Sequence, residues 1–240
     1  MNVFYLPDAT EGMVSFPEEE SKHCVKVLRM QAGDRFCVTD GKGSLFDGEL
    51  VEAHPKRAVA CLTNQRAGYD NKTFKLEIAI APTKLNERTD WFLEKAPEIG
   101  IDKVQMFASD HSERRVANVE RFRKVMIAAM KQSIKSKLPD IEDVMDYNKL
   151  VKQPFDGQKF IAWIDDDVTE LLCDKYVKGQ NALVLIGPEG DFSQEEVQLA
   201  KDNGFIPVSL GDARLRTETA AVVACHTINL INQMTRCNVC

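Results

Sequence analysis

The segment from Leu183 to Ala224 constrains the fold of this chain more than any other stretch. It begins with a continuous apolar run, Leu183–Ile186, which is typical of a strand buried on both faces of a sheet. Glycine and proline interrupt the run at residues 187–190, because both break regular structure. A second apolar run, Phe205–Leu210, ends in the same way at Gly211. The segment therefore predicts two strands, each followed by a glycine loop.

Two helices complete this unit. Ser193 with Glu196 three residues later is a capping-box pattern that predicts a helix start, and Asn203-Gly204 predicts its end. A nearly all-apolar helix is expected after residues 215–219. Together the elements form a parallel βαβα unit, whose two loops leave the carboxyl ends of strands. Open α/β sheets bind ligands at that edge, so these loops are the first candidates for a site.

The rest of residues 71–240 continues this pattern, and we predict one α/β domain with a parallel sheet there. Further strands are expected at residues 75–81, 104–108 and 159–164, and helices at about 118–137 and 169–176.

Residues 1–70 predict a separate small β-barrel, since they hold too many short strands for an α/β fold. Predicted strands are residues 3–6, 35–39, 44–51 and 58–63. Asp40-Gly41-Lys42-Gly43 predicts a hairpin turn, and the polar stretch Asn64–Asn71 marks the boundary between the domains. A helix is expected over Glu18–Met30, with one buried face formed by Cys24, Val27 and Leu28.

The charge distribution points to nucleic acid more than the total charge does. The formal net charge is −6, which argues mildly against such a partner. Between His111 and Lys137, however, the sequence has eight basic residues and only two acidic ones. Phosphate contacts require a local basic surface of this kind. The solvated face of an amphipathic helix is the alternative explanation.

Cysteine usage predicts a cytosolic protein. The seven cysteines are scattered and odd in number, which favours reduced thiols. Cys237 and Cys240 form the one suggestive pair, but no second pair accompanies it, so we expect an ordinary chain end. No apolar run is long enough for a membrane helix, and the first residues do not resemble a signal peptide.

The two glycine loops carry a family resemblance. The segments IGPEGDFSQEE and SLGDARLRTETAA resemble the signature loops of the SPOUT methyltransferases and, more closely, of the RsmE family. Residues 81–100 also resemble that family, and residues 23–43 resemble its PUA-like RNA-binding domain. The resemblance implies a knotted α/β domain, S-adenosylmethionine as cofactor and methylation of uridine N3 in small-subunit (16S) ribosomal RNA, free or in the assembled subunit. It also implies a homodimer, and the apolar helix over Ala220–Ile231 is expected to be buried or to form that interface.

The glycine loops also hold the expected cofactor and catalytic residues. Methyl transfer needs donor and acceptor in line and help in removing the acceptor's proton. We expect Arg216 to stabilise negative charge on the uracil ring, and Glu189 or Glu218 to act as base or to cap the following helix. Asp191 departs from the second glycine that is usual in the family. The predicted cofactor contacts are Ile186, Gly187, Pro188, Glu189, Gly190, Leu210, Gly211, Leu215, Arg216, Thr217 and Ala220.

Predicted RNA contacts lie on both domains, and solvated helix surfaces remain the alternative explanation for them. They are Lys22, Lys26, Arg29, Lys84, Arg88, Arg114 and Arg115. No His, Cys and Asp set with metal-ligand spacing is evident, so no metal is expected.

Three other functions remain open at this point. One is a different SPOUT enzyme, such as a ribose 2′-O-methyltransferase. Another is a non-catalytic RNA-binding protein, which would bind no cofactor. A phosphate-binding loop of a nucleotide enzyme is disfavoured, because the lysine-serine ending and the GxGxxG pattern are absent.

Overall fold

The computed structural model describes residues 1–165 and 168–234 and divides into two compact units. The first unit comprises Met1–Asn71 together with Ile127–Leu138, and the second comprises Lys72–Met126 and the chain from Pro139 onward. The sequence predicted a single division near residue 70. The structure differs, because a second segment of chain joins the first unit.

Hydrogen bonds explain why this second segment belongs to the first unit. The carbonyl of Ser136 accepts a bond from the Thr39 hydroxyl at 3.0 Å, and the N–H of Leu138 donates to the carbonyl of Gly41 at 2.9 Å. The Ser136 hydroxyl also bonds to Asp70. These partners lie far apart in sequence, so no local pattern could have indicated them.

The first unit is the predicted PUA-like β domain. Its strands are β1 Val3–Tyr5, β2 Gly12–Ser15, β3 Arg35–Thr39, β4 Ser44–Glu52 and β5 Val59–Ala67. They form one sheet in the order β1-β3-β4-β5-β2, with β1 parallel to β3 and the other neighbours antiparallel. Phe4, Phe16 and Phe36 pack ring against ring in the core, with centroids 5.0 to 5.7 Å apart.

The predicted helix over Glu18–Met30 is shorter and of two kinds. An α-helix, α1 (Glu18–Lys22), continues directly as a π-helix over His23–Val27. Cys24 is fully buried as predicted, but Val27 is 66% exposed, so its predicted place on the buried face is wrong. The wider turn of a π-helix rotates later side chains away from the face that an α-helix would bury.

The second unit is a parallel sheet covered by helices, as predicted. The strands are β6 Leu76–Ile80, β7 Lys103–Ala108, β8 Asp140–Ile141, β9 Met145–Asp146, β10 Gln158–Ala162, β11 Ala182–Ile186 and β12 Phe205–Val208. Their order in the sheet is β12-β10-β11-β6-β7-β8, with β9 also paired to β7. The helices are α2 Asn86–Ile99, α4 Tyr147–Val151, α5 Leu172–Lys175, α6 Gln194–Asp202 and α7 Thr217–Gln233, together with the first part of α3 Val119–Gln132, which continues into the first unit from Ile127.

The start of α6 and the end of α3 are each set by local features. The capping box at the start of α6 is formed in both directions, with Ser193 Oγ 3.2 Å from the N–H of Glu196 and the N–H of Ser193 2.9 Å from Glu196 Oε2. α3 ends earlier than predicted, because Ile134 adopts a left-handed φ of 57°. The helix expected over residues 169–176 is reduced to the single turn of α5.

β11 lies inside the sheet and every residue in it is buried, which confirms the interpretation of its continuous apolar run. Its neighbours β10 and β6 run parallel to it. After the edge strand β12 the chain returns across β10, so that α7 packs against β6, β11 and α2. None of the helices in the described ranges has the length and apolarity needed to span a membrane.

Candidate active site

A cavity of about 690 Å³ opens at the carboxyl edge of the parallel sheet, where the loops after β10, β11 and β12 meet the start of α7. Strand register brings these loops together: Ala162 is the partner of both Ile186 and Val208, so the three strands end at the same level. Ten predicted cofactor contacts line the cavity, and Gly190 does not. The ten are Ile186, Gly187, Pro188, Glu189, Leu210, Gly211, Leu215, Arg216, Thr217 and Ala220.

Glycine is required in these loops for two different reasons. A Cβ on Gly187 would lie 3.0 Å from the ring of Phe192, which is buried and stacked on Phe107 in the core. Gly211 instead has a φ of 123°, which side chains rarely allow, and its surroundings are open. Core packing therefore selects glycine at the first position, and backbone conformation selects it at the second.

Asp191 connects the loops around the cavity. Its Oδ1 accepts a hydrogen bond from the N–H of Phe192 at 2.8 Å, and its Oδ2 accepts one from the N–H of Ile164 at 3.4 Å. Its carbonyl oxygen is 3.0 Å from Nδ1 of His111. Burial raises the pKa of the Asp191 carboxyl, while these N–H donors and the nearby positive charge of Arg214 oppose that rise.

Glu189 forms a link to the loop after β6. Its side chain is exposed, and Oε1 accepts a hydrogen bond from the backbone N–H of Lys84 at 3.0 Å. The Lys84 ammonium lies 2.8 Å from Glu113, and this hydrogen bond raises the pKa of the lysine.

Glu196 ties the loop after β7 to the start of α6. One oxygen of this buried carboxylate completes the capping box, and the other accepts the N–H of Asp110 at 2.9 Å. Ser193 Oγ adds a bond to the Asp110 carboxylate at 3.3 Å. The loops after β6, β7, β10 and β11 thus form one hydrogen-bonded group at the sheet edge.

Arg114 and Arg115 lie further along the loop that follows β7. Nη2 of Arg114 donates to the carbonyl of Lys84 at 3.0 Å, and Nη2 of Arg115 donates to the carbonyl of Ser109 at 2.9 Å. Neither guanidinium forms an ion pair with any residue that the structure describes, so no neighbouring carboxylate among those residues offsets their positive charge.

Arg216 and Glu218, neighbours in the sequence, are placed differently. Arg216 is the exposed N-cap residue of α7 and lines the cavity, and its side chain has no hydrogen-bond or ion-pair partner within the described ranges. Glu218 is buried and does not line the cavity; its Oε1 lies 3.8 Å from Nε of Arg88 on α2. Of the three predicted catalytic residues, Arg216 and Glu189 therefore both line the cavity, and Glu218 does not.

The remaining predicted RNA contacts lie on the first unit. Lys22 pairs with Glu18 at 2.7 Å, one helical turn earlier. Lys26 and Arg29 are exposed, and Arg29 has a left-handed φ of 56° just after the π-helix. Cys237 and Cys240 lie outside the described residues.

Sequence patterns did not indicate the loop after β10 as part of the site. It contributes Trp163, Ile164, Asp165, Val168, Thr169 and Leu171 to the cavity lining. Trp163 also packs against the core cluster that includes Val197 and Ala200 of α6. Only a general signal existed, namely that a predicted strand ends there. Among residues 1–165 and 168–234, no three His, Cys, Asp or Glu side chains are grouped so as to hold a metal ion.

Two family models match this chain. One, described as the RNA methyltransferase domain, matches residues 70–229, and the other, described as the RNA methyltransferase PUA domain, matches residues 16–60.

Individual proteins are similar over nearly the whole chain. A solved structure titled "probable rRNA-methyltransferase", from Porphyromonas gingivalis, is 43% identical with a TM-score of 0.89, covering 97% of this chain and 98% of its own. A structure from Neisseria gonorrhoeae, titled "Ribosomal RNA small subunit methyltransferase E" bound to S-adenosyl methionine, is 27% identical with a TM-score of 0.87, covering 96% and 98%. The curated "Ribosomal RNA small subunit methyltransferase E" of Buchnera aphidicola is 28% identical, covering 92% and 90%. Since the first family model spans more than half of the chain, this protein belongs to the RNA methyltransferase domain family and, within it, to the RsmE family that its glycine loops resembled.

Proposed function

We propose that this protein uses S-adenosylmethionine to methylate N3 of a specific uridine in small-subunit (16S) ribosomal RNA. The observation that carries the proposal is the cavity between the glycine loops, in a chain whose relatives are named ribosomal RNA small subunit methyltransferase E. Arg216 lies at the wall of this cavity and has no partner among the described residues.

The residues of the cavity fit this cofactor. Its volume of about 690 Å³ is in the range of sites for molecules of this size. Ile186, Leu210 and Leu215 offer apolar surface to an adenine ring, while Arg214 offers a positive charge to the carboxylate of the amino-acid end. Bound S-adenosylmethionine would supply an electrophilic methyl group on a positively charged sulfur.

Arg216 is the residue that we assign to the acceptor. Uracil N3 becomes nucleophilic when it loses its proton, and the resulting charge spreads over the ring carbonyls. A guanidinium held at the cavity wall and free of other partners among the described residues can stabilise that charge. Glu189 is the better candidate for the base, because it is exposed at the cavity, whereas Glu218 is buried beside Arg88.

RNA binding is assigned first to Arg114 and Arg115, which belong to the hydrogen-bonded group of loops in the second unit. Lys84 belongs to the same group, but its ammonium is already paired with Glu113. Phosphate contacts need unneutralised positive charge, and the two arginines retain theirs. Lys26 and Arg29 are the corresponding candidates on the first unit, since both are exposed.

A homodimer and a cytoplasmic location complete the proposal. α7 buries Ala221, Ala224 and Ile228, yet Leu230 on the same helix is 45% exposed and Trp91 on α2 is 42% exposed. Such apolar surface is suited to a second copy of the chain. Sedimentation at micromolar concentration tests this, because a monomer there would contradict it.

The function is tested by comparing small-subunit ribosomal RNA from cells with and without this gene, using mass mapping of modified nucleosides. We expect one 3-methyluridine to disappear without the gene and to return when the gene is restored. Disappearance of a ribose methyl instead would support a 2′-O-methyltransferase. Unchanged RNA together with no binding of S-adenosylmethionine by calorimetry would leave only a non-catalytic RNA-binding protein.

A further inference from the structure

Asp191 occupies a position at which a side chain is conformationally unfavourable. Its φ of 60° lies in the left-handed region, which glycine adopts without strain and other residues avoid. Aspartate tolerates this region better than most residues, but glycine would still be easier. Strain of this kind persists where the side chain has a function, so its contacts point to what that function is.

Those contacts fasten two walls of the cavity. One carboxylate oxygen accepts the N–H of Phe192 within the β11 loop, and the other accepts the N–H of Ile164 in the β10 loop. Glycine at position 191 could make neither bond. The side chain thus holds the β10 loop against the β11 loop.

The same carboxylate places a partly buried negative charge in the cavity wall. The proposed donor carries a positive sulfonium sulfur, whereas the product after methyl transfer, S-adenosylhomocysteine, has a neutral thioether. The two ligands are nearly identical in shape and carry the same charges at their amino-acid end, so the sulfonium charge is what an anionic wall can distinguish between them.

We propose that Asp191 is a specificity residue that joins the β10 and β11 loops and makes the cavity prefer the sulfonium donor over its thioether product. This inference rests on the proposed function. Transfer of the methyl group would then weaken binding of the spent cofactor and favour its exchange.

The experiment is calorimetric titration of the full-length protein with S-adenosylmethionine and, separately, with S-adenosylhomocysteine. Asp191→Asn removes the charge and keeps a residue that accepts a left-handed φ. Asp191→Gly removes the side chain without backbone strain. Asp212→Asn is the matched control, since Asp212 is an exposed carboxylate lining the same cavity.

Both Asp191 variants should bind both ligands more weakly, because the loops are no longer fastened. The ratio of the affinity for the donor to that for the product measures the contribution of the Asp191 charge alone. We expect Asp191→Asn to lower this ratio roughly fivefold, which is the order of a screened charge interaction. Asp212→Asn should leave the ratio within about twofold, as an exposed charge is better screened.

An unchanged ratio in Asp191→Asn, or an equal fall in Asp212→Asn, would overturn the inference. Thermal melting tests whether each variant is folded. If Asp191→Asn does not fold, the affinity ratio is measured with Asp191→Gly instead. If the wild-type protein bound neither ligand, the proposed function itself would fail. Binding of both ligands with an unaffected ratio would remove only the role of Asp191.

Discussion

Nε of Arg88 lies 3.8 Å from Oε1 of Glu218, and this ion pair joins α2 to the first turn of α7. The glutamate side chain is only 9% exposed, and its Oε2 has no hydrogen-bond partner among the residues described. A buried carboxylate left without its cation is costly, whereas an exposed one is not. Glu218 therefore contributes to stability through Arg88, apart from any effect on the helix dipole.

Replacing Arg88 by alanine should lower the free energy of unfolding by about 2 kcal/mol, below the full cost of breaking a buried pair because Arg88 is partly exposed. Urea denaturation measures the change. Arg35→Ala is the control: its ion pair with Glu49 is exposed, so the decrease should stay under about 0.5 kcal/mol. Equal effects in the two variants would contradict a buried role for Glu218.

Arg216→Ala should lower the methylation rate by about two orders of magnitude, the usual effect of removing a group that stabilises developing charge. The affinity for S-adenosylmethionine should change little, because the β11 loop and the apolar lining remain intact. Single-turnover methylation and calorimetry measure the two separately. Arg216→Lys keeps the charge and should retain part of the rate. Near-normal methylation by Arg216→Ala would remove the role that we assign to this guanidinium.

Arg114→Ala and Arg115→Ala should each weaken RNA binding and flatten its salt dependence. Removal of one phosphate-binding side chain reduces the magnitude of the negative slope of log affinity against log salt by about 0.7 to 0.9. Arg121→Ala is a matched control, because the Arg121 guanidinium is already paired with Asp90. Filter binding at several salt concentrations gives the slopes. If Arg121→Ala changed the slope as much as the other two variants, the absence of an ion pair would not be what makes an arginine bind RNA phosphates.

Glu196→Ala should destabilise the protein by about 1 to 2 kcal/mol, since it removes both the capping box of α6 and the bond to Asp110. Glu195→Ala, in the same turn but exposed, should change stability by less than about 0.5 kcal/mol. Chemical denaturation tests both. Because Glu196 also holds the β7 loop, hydrogen exchange at residues 109–115 should accelerate in Glu196→Ala alone.

Cys24 and Cys225 should resist alkylation in the native protein. Burial raises the pKa of the Cys24 thiol to about 11 and that of Cys225 to about 12, so almost no thiolate forms at neutral pH. Cys173 is exposed and should react first among the cysteines that the structure describes. Iodoacetamide labelling with site-resolved mass spectrometry tests this order, and urea should abolish the difference. Rapid labelling of Cys225 in the folded protein would contradict the buried position of α7.

Local sequence was sufficient for the elements that depend on neighbouring residues. The apolar run of β11, the capping box at Ser193 and the hairpin at residues 40–43 all occur where predicted. In the hairpin, Asp40 Oδ1 accepts the N–H groups of Lys42 and Ser44, so the turn is stabilised by its own residues. The family resemblance added the cofactor and the domain pairing, which periodicity alone does not contain.

The predictions that failed or were missing depend on longer-range packing. Val27 was placed inward because an α-helical period was assumed, and the π-helix changes that period. Residues 127–138 join the first unit through bonds to positions nearly a hundred residues away, such as Thr39. The β10 loop enters the cavity because β10 lies between β11 and β12, an order that the sequence does not display.

The amino-acid sequence by itself determined where strands, turns and glycine loops occur, because propensity, capping and backbone freedom act over a few residues. Only the tertiary structure decided which side chains share the site. In the structure Glu218 pairs with Arg88 and not with Arg216, and Glu189 accepts a hydrogen bond from the N–H of Lys84. Asp191 accepts a hydrogen bond from the neighbouring β10 loop. The physical reason is that hydrogen bonds and burial depend on distance in space, and strand order, which creates those distances, arises from the packing of the whole sheet.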